Sequence, residues 1–116
     1  MAEGGLAELA AAVDRLADRF RALPQSALLL AVPGHPSRAA AGLALARQLA
    51  GWAQQLEEGA AAVPREIPEA GVFAVGDQLS VTGHDLVLAL AETPTAAPGL
   101  LAEAVAAVRA TAELTG

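Results

Sequence analysis

Two short stretches hold the residue types that chemistry needs. In "GVFAVGDQLSVTGHDLVLALAE", residues 71 to 92, His84 is followed directly by Asp85. A histidine oriented by a carboxylate is a common general base, and imidazole changes charge near neutral pH. Adjacent residues on a helix point about 100 degrees apart and rarely meet, whereas on a turn they can. His84 and Asp85 are therefore a candidate ligand or catalytic pair only if the chain turns there; on a helix, His84 is a partly exposed residue near a bundle end. The serines available as nucleophiles, Ser26, Ser37 and Ser80, lie outside any G-x-S-x-G elbow.

The second stretch, "AVPGHPSRAAAGLALA", has the outline of a phosphate loop, with His35, Ser37 and Arg38 at the start of a helix, where free amides attract anions. Neither phosphate-loop motif is present, and Pro33 and Pro36 remove amide donors. A helix break with a Ser37 or His35 cap is the favoured reading. No metal site is expected, because neither His35 nor His84 has a glutamate three residues before it and Glu57-Glu58 stands at a helix end. No cofactor is expected either. Trp52 falls on an apolar seam and reads as a core anchor rather than a ligand platform.

The totals restrict what can position these residues. A chain of 116 residues suits one domain with one core. Of these, 31 are alanine and 18 leucine, against nine valines, one isoleucine, two phenylalanines and no tyrosine. That balance favours helices over strands. The net charge of -6 repels nucleic acid and anionic membranes, and the arginines are dispersed with no aromatic interleaving. Lysine and cysteine are absent, so thiolate and disulfide chemistry is excluded. The start carries Glu3 and scattered charges unlike a secretory signal, and Arg38 and Arg47 interrupt the longest apolar run. A cytoplasmic protein without membrane contact is expected.

Leu6, Leu9, Val13, Leu16, Phe20 and Leu23 recur at three and four residues, which predicts an amphipathic helix whose Asp14 and Asp18 lie within a turn of arginines. Pro24 ends it or opens a short new one. "SALLLAV", from Ser26, fits either a buried strand or two helical turns. Leu45, Leu49, Trp52 and Leu56 predict a second long helix up to Gly59. Residues 59 to 71 and 93 to 99 read as connections, and Leu101, Val105, Val108 and Ala112 line a last helix.

Residues 71 to 92 decide the fold. Phe73, Val75, Leu79 and Val81 alternate as in strands, with turns at Gly76-Asp77 and Gly83-His84-Asp85. Alternatively Val72, Val75, Leu79, Leu86 and Leu90 form one helical seam capped by Asp77, with Gly83 where a small residue lets a neighbouring helix approach. A mid-helix glycine costs about 1 kcal/mol, which packing can offset. Three amphipathic helices need a fourth to close a core, so the helix is favoured. The expected fold is all-α, a small antiparallel four-helix bundle with helices at 3–23, 37–58, 77–91 and 99–114. The alternative is an α/β or α+β fold with strands near 26–32 and 72–90, and a site at His35, Ser37, Arg38, His84 and Asp85. A core of alanine and leucine is thin, so a homo-oligomer or a larger protein partner is expected to cover part of it. Leu9, Leu16, Leu49 and Trp52 are the expected packing and interaction residues of a non-enzymatic module.

Overall fold

The computed structural model describes residues 2–59, 61, 63–93 and 99–116; the expected connection at 93–99 lies outside them apart from its two ends. Four long helices form the body: α1 (Ala2–Ala22), α3 (Arg38–Glu58), α4 (Val75–Glu92) and α5 (Leu100–Leu114), with a single turn, α2 (Gln25–Leu28), between the first two. The helical reading of residues 72–91 holds: a short 3-10 turn at Val72–Ala74 runs into α4 without a break at Gly83. The alternative strands are absent among the described residues, and "SALLLAV" instead supplies α2 and a turn. Asp77 is not the cap. The helix starts two residues earlier, leaving Asp77 in its first turn, where its carboxylate suits the positive helix end.

α4 packs against α1 and α3, and α5 packs against the same two helices from the opposite corner. α1 and α4 are antiparallel, since Val13 lies beside Gly83 while Ala17 and Arg21 lie beside Gly76. Arg38, at the start of α3, reaches the end of α5, so that pair is antiparallel too. α3 and α4 run the same way: Gly42 lies beside Val75 near their starts, and Ala53 and Gln54 share a hollow with Thr82 and Asp85 further along.

That parallel pair explains the connection at 59–71. A helix of 21 residues is about 31 Å long, and the chain must return that distance before α4 begins. Thirteen residues can reach roughly 43 Å when fully extended, enough for the return, and Pro64 and Pro68 disfavour helix around them. The strap is tied down on its way back. Buried Gln54 donates from Nε2 to the Val63 carbonyl at 2.7 Å and accepts from the Arg65 amide at 2.9 Å. Arg47 Nε donates to the Ile67 carbonyl, and Gln78 Nε2 to the Pro68 carbonyl.

Leu9, Val13, Leu16, Phe20, Leu49, Leu79, Leu86 and Val108 fill one continuous core. Glycine brings α4 onto α1. A Cβ at Gly83 would overlap both γ-methyls of Val13, and one at Gly76 would lie 3.0 Å from the Ala17 carbonyl oxygen. The expectation that Gly83 admits a neighbouring helix is therefore met, by α1.

Candidate functional site

The residues singled out for chemistry fall in different places. His84 lies well along α4 and points at α1, where its Nε2 is 2.7 Å from Asp14 Oδ1. Its partner is thus Asp14, not the adjacent Asp85, because residues one apart on a helix diverge. Asp14 in turn meets this histidine instead of an arginine of its own helix, while Asp18 takes Arg21 at 3.1 Å. Asp85 faces the other side of α4, lining a shallow hollow of about 160 Å³ with Gln54, Glu57, Arg65 and Thr82.

His35 sits in a tight turn in which the His35 amide donates to the Val32 carbonyl at 3.1 Å. Pro33 and Gly34 occupy its corners, with Gly34 at φ 82°, the left-handed value a type II turn needs. Ser37 caps α3 by accepting from the Ala40 amide at 3.0 Å, so the capping reading of this stretch stands over the phosphate-loop outline. Arg38 is also occupied. Its Nε donates to the Thr115 carbonyl at 2.9 Å and its Nη1 to the Ala27 carbonyl at 3.1 Å, which ties α2 to the end of α5. With Arg19 Nη2 donating to the Ala112 carbonyl and Thr115 Oγ1, two cations sit at the negative end of α5. His35, Ser37 and Arg38 remain neighbours at the entry to α3, in the turn before it, at its cap and at its first residue, and no described contact brings them to His84 and Asp85.

Leu9, Leu16 and Leu49 are buried in the chain's own core. Trp52 packs on the edge of that core and is only partly buried, because its position is rotated away from Leu49 toward solvent. Arg21 bridges Asp18 and Asp77, and the hydrogen bond to Asp77, above all, raises its pKa further above its ordinary value.

Two surface features went unread in the sequence. One is a cleft of about 330 Å³ between α3 and the end of the strap, walled by Leu29, Ala40, Leu43, Val72 and Val75, with Ser37, Arg47 and Glu69 at its polar edge. The other is the outer face of α4. Val81 and Leu88 are 61% and 59% exposed there, on a helix whose opposite face is packed against α1 and α3. With exposed His84 and Ala91 they recur at spacings of three and four, a second seam on the side opposite Leu79 and Leu86. That recurrence was available from the sequence alone, but two seams on one helix look like one helix buried all round.

No protein-family model, curated protein or solved structure matches this chain. No described helix is long and apolar enough to cross a membrane.

Proposed function

We propose that this chain is a non-enzymatic helical interaction module that docks another protein on the outer face of α4. The observation that supports this reading is the exposed seam of Val81, His84, Leu88 and Ala91, laid along a helix whose opposite face is locked into the core. A straight ridge of this kind suits a second helix packed alongside it. The interaction surface is then not the Leu9, Leu16 and Leu49 stripe, which the bundle itself consumes.

A photo-crosslinking residue placed at Ala91, and separately at exposed Ala106 on α5, tests this in the cells the protein comes from. The expected result is a protein adduct from Ala91 alone, lost in the Val81→Ser, Leu88→Ser double variant. Adducts from both positions alike, or from neither, refute the reading.

One observation favours a second function. The cleft beside Leu29 and Val72 falls within the size range of small-molecule sites and is mostly apolar with a few polar groups at its edge. A ligand held there would raise the melting temperature in proportion to the logarithm of its concentration, and Leu43→Phe would abolish that rise by filling the cleft.

A further inference from the structure

The charge around the α4 seam specifies its partner more closely. Asp85 and Glu92 on α4, with Glu57 near the end of α3, border the ridge on one side, and Asp14 of α1, in contact with His84 of the ridge at 2.7 Å, borders it on the other. The guanidiniums near these flanks are engaged within the chain: Arg65 pairs with Glu58 at 2.7 Å, and Arg47 donates to the Ile67 carbonyl. Asp77, at the start of the ridge, is already matched by Arg21. The ridge therefore runs for about three turns, with the carboxylates of Asp85, Glu92 and Glu57 along one border and the contact of His84 with Asp14 along the other.

We infer that the partner is a basic amphipathic helix of another protein, its apolar stripe seated on Val81, Leu88 and Ala91 and its arginines or lysines beside Asp85, Glu92, Glu57 and Asp14. This inference rests on the docking role proposed above for the same face. Charge selects against the alternatives. A second copy meeting this face with its own would set the same carboxylates against each other, and like charges brought together at an interface are unfavourable. Nucleic acid and anionic lipid are repelled for the same reason. An added strand has nothing to pair with, because the amides and carbonyls of α4 are engaged in its own helix. A helix with cationic flanks satisfies both the apolar ridge and the charged borders, by the spacing logic that pairs helices in coiled coils.

The test uses the full chain, labelled with nitrogen-15, and two synthetic amphipathic peptides of about 20 residues with the same leucine stripe, one flanked by arginine and the other by glutamate. Amide shifts are followed during titration at low salt and at about 0.5 M salt. The expected result is saturable binding of the arginine peptide with shifts centred on Val81, Asp85, Leu88 and Glu92. Its affinity falls roughly tenfold or more at high salt, and the glutamate peptide binds at least about tenfold more weakly. Val81→Ser with Leu88→Ser removes the binding, and Asp85→Asn with Glu92→Gln removes the preference for arginine.

Equal binding of both peptides at the ridge overturns the basic partner while leaving a docking face. Shifts centred elsewhere, self-association through α4 in the absence of peptide, or no binding by either peptide overturns the inference as well. The crosslinking result at Ala91 is independent of peptide charge, so failure of the docking role and failure of the partner assignment are read separately.

Discussion

The two faces of α4 carry similar residues and have opposite surroundings. Inward, Val75, Leu79, Leu86 and Leu90 are buried, and glycines at 76 and 83 let α1 approach to backbone distance. Outward, Val81 and Leu88 stand in solvent on the same repeat. Helical periodicity alone does not separate a seam that closes a core from one left for a partner. The separation comes from what lies opposite: Val13 and Ala17 of α1 on one side, and on the other carboxylates with no helix between them among the described residues.

The comparison breaks most visibly at Leu86, which is fully buried. Leu86→Ala should cost about 2–5 kcal/mol in denaturant unfolding, since a cavity in a core shared by four helices collapses poorly. Gly83→Ala is the sharper test. On an isolated helix the change gains about 1 kcal/mol. Here the new methyl meets Val13, a β-branched side chain with little rotameric freedom, so a net loss of about 1–2 kcal/mol is expected. The loss should shrink when Val13→Ala is added, which a double-mutant cycle measures.

Gln54→Ala acts on the strap rather than on either face. Two hydrogen bonds to the strap backbone disappear, at about 1 kcal/mol overall, and residues 63–67 should become faster in hydrogen exchange and more open to proteases. On the outer face, Leu88→Ser should change stability by no more than about 0.5 kcal/mol in the free protein, while peptide binding is lost. His84→Ala is expected to be as mild. Its contact with Asp14 is between two half-exposed groups, and such pairs contribute little to stability. A large loss in either outer-face variant would mean that this face supports the fold, and the distinction between the two sides of α4 would collapse.

Much of the architecture was legible before the structure. The Leu6 to Leu23 repeat, the Ser37 cap, Gly59 as the end of α3 and Gly83 as a contact point all follow from local chemistry, and each appears where expected. The start of α4 was misplaced because Asp77 is a good cap by type. The preceding Val72–Ala74 turn feeds directly into the helix and made that cap unnecessary. The candidate site was far less legible. His84 and Asp85 are neighbours in sequence and diverge in space, whereas His84 and Asp14 are 70 residues apart and touch.

Composition and spacing alone determined that this chain favours helix and where α1, α3 and α5 run, because alanine, leucine and the three-four repeat act within a few residues. The tertiary structure alone decided the rest: that α3 and α4 run parallel, that Gln54 anchors the strap between them, and that one seam of α4 is buried while the other stays in water. Those outcomes depend on which distant surface comes to lie against each helix, and hydrophobic burial has no direction until packing supplies one.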